Sequence, residues 1–382
     1  MKILGRLPVP RLPDMSDADQ KRAAIFLGAL AFAIAYPFIE GMFGLRLQTK
    51  LIPVLLFIVL ALGLNVVVGF AGLLYLGYAA FFAIGAYTVA FMTSSESPFA
   101  FTDTSPMNFW LAMIVAAIVA GIFGVLLGAP TLRLRGDYLA IVTLGFGEIV
   151  PLVIRNAHEV TKGTQGMKPI GFPELPFVKW GFATEPWYFL VLGILLLSIF
   201  LTSRLQRSRI GRAWMAIRED EVAASSIGIN PVTTKLFAFS LGASFSGFAG
   251  SVWASYLQVI SPDQFQFSVS IFVLLMIVIG GMGNIPGVIV GGLILGGFDR
   301  VLTDAISGAL RTLGSTFDIA FLREADISRA RTLIYGTALV ALMLVRPEGI
   351  LPSARRKMEL HAAEEDEGEA AQQRETLFES QR

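Results

Sequence analysis

Apolar runs too long for any soluble core constrain this chain before anything else does. Crossing a hydrocarbon layer takes about 20 mostly apolar residues. Stretches of that kind recur near 24–44, 51–70, 73–93, 109–129, 138–154, 187–203, 236–257 and 332–345. Between 268 and 298 the apolar run exceeds one span, and Gly280, Gly281, Gly283 and Pro286 interrupt it. The interruption predicts two short helices, 268–282 and 287–298, or one span with a re-entrant segment. The expected fold class is all-α: a polytopic integral membrane helix bundle of about ten spans, including short or re-entrant helices. Only 15% of the 382 residues are charged, against about 25% in soluble domains.

That pattern excludes a soluble enzyme, a disordered regulator and a disulfide scaffold. With no Cys in the chain there is no thiol catalysis and no CxxC metal knot. A formal net charge of +1 gives no reason to expect nucleic acid.

Lys and Arg are distributed unevenly between the two sides. With the N-terminus inside, segments 1–23, 130–136, 204–235 and 346–382 are inner and carry 19 basic residues. The outer segments 45–50, 94–108, 155–186, 258–267 and 299–331 carry 11. Both termini are then expected in the cytoplasm. The organisation read from this is a cytoplasmic segment 1–23, a transmembrane domain 24–345 with a cytoplasmic loop 204–235, and a charged cytoplasmic tail 346–382. The tail is acidic at 364–369. No cleavable signal peptide is expected, because residues 1–22 are polar and proline-rich and lead into a full-length span.

Apolar burial cannot drive helices together in lipid, so close approach of small residues matters more. Two such stripes run along 236–257: Gly242/Ser246/Gly250 and Ala243/Gly247/Ser251/Ser255. Gly287/Gly291 and Gly292/Gly296 repeat the spacing. Helix packing is the first reading of these stripes; room for a solute or for helix sliding is the second.

Ionisable side chains within a span are costly and are functional candidates. Glu148 is the clear mid-span case, whereas Glu40 and Asp137 fall near span ends. Pro151 predicts a kink one turn on. Arg155 follows Glu148 by seven residues, on roughly the same helix face, and is expected as its partner. A structural carboxylate and a pathway residue are both open for Glu148. His158 and His361 fall in loops, so no histidine relay crosses the membrane.

A transporter needs a driving force. No Lys follows a Gly in this sequence, so the phosphate-binding pattern GxxxxGK[ST] is absent, as are HExxH and GxSxG. Two routes remain: ion coupling within the chain, or ATP hydrolysed by a separate subunit. The 204–235 loop favours the second. Residues 212–227 have helical periodicity, with Ala213, Ala216, Ile217, Ala224 and Ile227 on one face and charge at 218–221. Gly228 is placed as the C-cap, and Pro231 prevents continuation. Such a helix suits docking into a groove on a partner, or lying at the membrane interface.

From Gly211-Arg212 through Arg218-Glu219-Asp220-Glu221 to Ala223-Ala224 and Gly228-Ile229-Asn230, the loop resembles the coupling loop of LivM-type permeases. These are membrane subunits of branched-chain amino acid ATP-binding-cassette importers. The likeness continues in Leu64 to Tyr78, in Arg135-Gly136-Asp137-Tyr138, in Thr143 to Glu148 and in Thr161 to Gly166. It closes with Gly280 to Gly287 and with Arg346-Pro347-Glu348-Gly349. Pro151, Lys162 and Tyr78 depart from the family's usual Arg, Gly and His.

The resemblance implies a multi-subunit importer in the bacterial inner (cytoplasmic) membrane. Its implied partners are a second homologous permease (LivH-type), two ATPases (LivG- and LivF-type), a periplasmic substrate-binding protein and membrane lipid. No nucleic acid is expected. This chain would be no enzyme and would hold no cofactor, ATP being bound by partner subunits. Coupling to an ATPase is expected of Gly211, Arg212, Arg218, Glu219, Asp220, Glu221, Ala223, Ala224 and Gly228. A translocation path is expected beside Asn65, Gly72, Tyr78 and Glu148. The implied solutes are leucine, isoleucine and valine, with urea, amides or other amino acids as alternatives in the same class. An ion-coupled secondary transporter, a passive channel and a non-transporting assembly subunit are the rival readings.

Overall fold

A computed structural model describes residues 17–43, 47–98, 108–131, 137–174, 180–181, 184–316, 327–345 and 349–351. Two compact units meet in sequence between Gln48 and Thr49. The first holds α1 (Asp17–Phe43). Near its end the Glu40 carboxylate accepts the backbone N–H of Leu47 and, at 3.1 Å, that of Gln48. Glu40 thus satisfies donors at the opening of the next helix, a structural use for a buried acid.

Among its described residues, the regular elements of the second unit are helices. Its elements are α2 (Gln48–Asn65), α3 (Tyr78–Thr93), α4 (Phe109–Thr131), α5 (Asp137–Asn156) and α6 (His158–Thr161). They continue with α7 (Thr184–Arg207), α8 (Arg209–Glu219), α9 (Glu221–Ser226), α10 (Pro231–Leu257) and α11 (Phe267–Gly280). The last three are α12 (Ile285–Gly297), α13 (Thr303–Thr316) and α14 (Ile327–Val345). Among the described residues, seven helical segments are long and apolar enough to cross a membrane, and Leu27–Gly41 and Tyr78–Thr93 are shorter apolar helices. The protein is an all-α, multi-pass membrane bundle.

Three elements differ from the sequence reading. Within the 73–93 stretch helix begins only at Tyr78, because residues 71–77 are non-helical and Gly72 takes φ +69°. Residues 299–316, read as part of an outer loop, continue α12 through a π-helical turn (Phe298–Leu302) into α13. Their charge is absorbed by tertiary pairing: buried Asp299 accepts the Tyr335 hydroxyl at 2.5 Å and sits 3.1 Å from Arg300 Nε. The third difference, a break at Asp220, belongs to the site described below. The expected break of the 268–298 run is present, with Gly281 at φ +114° and Gly283 at φ +79° between α11 and α12. Arg135, Gly136, Arg346 to Glu348 and the tail from 352 lie outside the described residues.

The outward face of α4 shows why lipid must surround the bundle. Ile114, Ile118, Ile122 and Leu126 recur every four residues and stay half exposed, a stripe that water would penalise. The inward face is built from small residues. A methyl added to Gly85 would stand 2.5 Å from Gly247 Cα; one added to Gly247 would stand 2.7 Å from the Ala116 carbonyl oxygen. Gly242 meets Val67, and Gly124 meets Ala243 and Phe239. The α10 stripes therefore let α2, α3 and α4 pack backbone to backbone, which is the helix-packing reading.

Candidate coupling and translocation site

Local chemistry shapes the 208–230 segment first. The Ser208 side chain accepts from Gly211 N at 3.1 Å and caps α8. Gly211 fits the corner because any Cβ there would run into the carbonyls of Leu205 and Gln206. Arg212 braces the same corner by donating to the Arg207 carbonyl at 3.0 Å.

The single helix expected over 212–227 is instead two. Asp220 leaves helical conformation at φ −153°, ψ 112°, and its carboxylate accepts from Val222 N at 2.7 Å and Ala223 N at 3.0 Å. An aspartate that satisfies two otherwise orphaned N–H groups outweighs continuation of the preceding helix. The break re-aims the second half. Ala224 is buried as expected, but Ile227 is 76% exposed, off the face that the periodicity assigned to it. Gly228, at φ +92°, ends α9 as its position suggested.

Side chains of α8 and α9 fasten the pair to the bundle. Trp214 is fully buried, donates Nε1 to the Thr234 carbonyl at 2.8 Å and stacks near Phe237. Glu221 sits 2.7 Å from Lys235 Nζ on α10. Arg212, Glu219, Ala223 and the apolar tips Val222 and Ile227 are among the residues that stay exposed. Sequence reasoning missed Trp214 and Val222, whose periodicity is cut by the Asp220 cap.

Arg218 connects this helix pair to the interior. Its Nη1 donates to the Gly69 carbonyl at 2.5 Å. A Cβ on Gly72 would stand 2.6 Å from Arg218 Cγ, so glycine there makes space for the arginine stem as well as adopting positive φ. One turn back, buried Asn65 accepts from Gly283 N at 2.9 Å. Gln206 on α7 donates to the Gly283 carbonyl at 3.4 Å. Ile350 N and Leu351 N bond the carbonyls of Ile279 and Gly280 at 2.8 and 3.1 Å, and Asn284 Nδ2 donates to the Leu351 carbonyl. Four motifs separated in sequence thus meet at one end of the bundle. Asn65 and Gly72, expected beside a solute path, stand in this clasp, where Gly72 meets Arg218 of α8.

Tyr78 is 1% exposed and donates to the Gly242 carbonyl at 2.9 Å, inside the α3–α10 contact. Glu148 lies on the exposed side of α5, by a cavity of about 400 Å³ that Arg155 and the start of α11 also line. Arg155 pairs with Asp263 at 2.5 Å and not with Glu148, because the 262–265 turn packs against the end of α5. The Thr161–Gly166 motif makes a turn at this opposite end. Met167 and Ile260 exchange backbone hydrogen bonds of 3.0 and 3.3 Å beside it. Among the described residues no group of three or more His, Asp or Glu could hold a metal ion.

Residues 47–312 match the family described as branched-chain amino acid transport system, permease component. The chain belongs to that family. The match contains the whole clasp except residues 349–351. This permease is similar to the high-affinity branched-chain amino acid transport system permease protein LivM of Salmonella typhimurium. They share 36% identity over 375 residues, covering 92% of this chain and 80% of that one. The Escherichia coli LivM protein is also 36% identical, over 91% of this chain and 79% of its own. The LivH permease of Salmonella typhimurium is 26% identical over 76% of this chain and 90% of its own. No solved structure matches.

Proposed function

We propose that this chain is the membrane-spanning permease subunit of an ATP-binding-cassette importer for leucine, isoleucine and valine. It works with a second, LivH-type permease, LivG- and LivF-type ATPases and a periplasmic binding protein, in a bacterial inner membrane with both termini cytoplasmic. The curated relatives carry branched-chain amino acid transport in their names, which supports the solute class. The absence of GxxxxGK[ST] from the sequence supports ATP hydrolysis on partner subunits.

The observation that carries the coupling half of this reading is the contact of Arg218 with Gly69 and Gly72. The exposed tips Val222, Ala223 and Ile227, flanked by Glu219, offer a small apolar knob for an ATPase groove. Movement of α8, α9 and the end of α7 that leads into them is passed on through three short connections. Trp214 and the Glu221–Lys235 pair pull on α10, Arg218 pulls on the 65–72 turn, and Gln206 pulls on the α11–α12 break. A packed bundle responds to such pulls as a shift of rigid elements rather than by local yielding. The 65–72 and 281–284 turns, non-α and held by side-chain bonds, are the parts built to move. In this reading most of the solute selection falls to the binding protein.

The test is ATP-dependent leucine uptake in proteoliposomes holding both permeases, both ATPases and saturating binding protein, with urea, an amide and other amino acids as competitors. Uptake that needs ATP and is lost when 212–228 is scrambled, with assembly intact, supports the assignment. Uptake by this chain alone down an ion gradient replaces it with a secondary transporter.

A further inference from the structure

We propose that the cavity between α5 and the first turn of α11 is a transient binding site for a zwitterionic amino acid, a deepening that rests on the importer reading above. Glu148, Leu152 and Arg155 follow one another at i, i+4 and i+7, which places them on one face of α5. All three line the cavity, with Phe267 and Ser268 of α11 across from them. At about 400 Å³ it falls within the range of small-molecule sites. The lining therefore carries an acid at one end, a base at the other and apolar side chains between. An amino acid with a branched aliphatic side chain presents the matching set: an ammonium, a carboxylate and an apolar arm.

Arg155 has donor capacity to spare for that carboxylate. Its Nη2 donates to Asp263 Oδ1, whereas its Nε is buried and has no hydrogen-bond partner among the described residues. An unpaired guanidinium N–H needs an explanation, and a ligand carboxylate that this half-exposed side chain turns to meet would supply one. The first turn of α11 has no side-chain cap, so its N–H groups add positive potential on the same side of the cavity. Glu148 stands two turns of α5 away, about 10 Å along the axis, within converging reach of two long side chains. The cavity adjoins the end of the bundle carrying the Met167–Ile260 bridge, opposite the Arg218 clasp. That is the end to which a binding protein would deliver solute. Urea or a simple amide would bring no cation to Glu148 and no carboxylate to Arg155, whose standing partner is Asp263, so the site favours a zwitterion by pairing.

The experiment uses the four-subunit importer in nanodiscs, without nucleotide or binding protein, probed by saturation-transfer NMR. The probes are leucine, leucinamide and 4-methylpentanoate, the last two lacking the carboxylate and the ammonium respectively. Glu148→Gln is expected to weaken leucine and leucinamide tenfold or more and to leave 4-methylpentanoate unchanged. Arg155→Gln is expected to weaken leucine and 4-methylpentanoate and to spare leucinamide. Asp263→Asn removes the negative charge paired with Arg155 but not Arg155 itself, and leucine binding should survive it. A loss in Asp263→Asn equal to that in Arg155→Gln, wild-type leucine binding that neither variant changes, or no wild-type binding overturns the site. If Arg155→Gln fails to assemble, the selectivity of Glu148→Gln decides alone. A complex that imports leucine under ATP but shows no such selectivity loses this site only; one that imports another solute under ATP keeps the importer class and loses the leucine assignment on which this site rests.

Discussion

Arg218 and Gly69 lie 149 residues apart in the chain and 2.5 Å apart in space, guanidinium to carbonyl. Around that bond the helix pair α8–α9 meets the turn that ends α2. The importer reading makes it the shortest mechanical route between a partner ATPase and the bundle interior.

Cutting that route should uncouple rather than unfold. Arg218→Ala is expected to lower ATP-dependent uptake at least tenfold while the assembled complex keeps its basal ATP hydrolysis. Uptake and hydrolysis measured on the same proteoliposomes check it; parallel loss of both, with normal assembly, would rule out a coupling role.

Gly72→Ala puts a Cβ against the Arg218 stem and asks an L-residue to hold φ +69°. The left-handed conformation alone costs about 1–2 kcal/mol. A lower Tm should accompany reduced uptake, and the double variant Gly72→Ala/Arg218→Ala should recover part of the stability because the clash is gone.

Asp220→Ala removes the acceptor of Val222 N and Ala223 N and should cost about 1 kcal/mol of local stability. Hydrogen exchange at 222–226 reads this directly, and Asp220→Asn should keep most of the protection. Unchanged exchange in the alanine variant would mean that the cap does not hold α9.

Gly247→Leu tests the packing stripe of α10. Even a methyl there stands 2.7 Å from the Ala116 carbonyl oxygen, and overpacking of this kind costs about 1–3 kcal/mol or more. The expected outcome is poor recovery of folded protein, whereas Gly297→Ala, which meets nothing within 4 Å, should be silent.

Tyr78→Phe removes a hydroxyl that donates to the Gly242 carbonyl. A cost of roughly 0.5–1.5 kcal/mol is expected, with little change in leucine uptake per folded complex. A large uptake defect at normal stability would favour the solute-path role for Tyr78.

Much of this was legible in the sequence because membrane helices advertise themselves by length and apolarity. The α11–α12 break was readable because glycines and a proline interrupt the run. The α10 stripes were readable because four-residue spacing is itself the geometry of close packing. Three things were hidden for stated physical reasons. Asp220 fits the helical charge pattern, yet its carboxylate serves better as a cap, and that choice turned Ile227 outward. Arg155 had a plausible partner seven residues back and found a nearer one 108 residues on, at Asp263. Asp299 and Arg300 read as loop residues because the Tyr335 hydroxyl that lets Asp299 be buried is 36 residues away. Local rules fix local structure; pairings of that range come only from the folded bundle.

The bond from Gly283 to Asn65 also sets an order of events while the chain is being made. Asn65 Oδ1 waits for a partner synthesised 218 residues later, a delay on the order of 10–40 s at translation rates of roughly 5–20 residues per second. Until then the end of α2 holds an amide that the finished protein buries completely. Closure of the 65–72 turn is therefore a late step of biogenesis. A chain stalled before Gly283 would leave that turn without the backbone donor that fastens it.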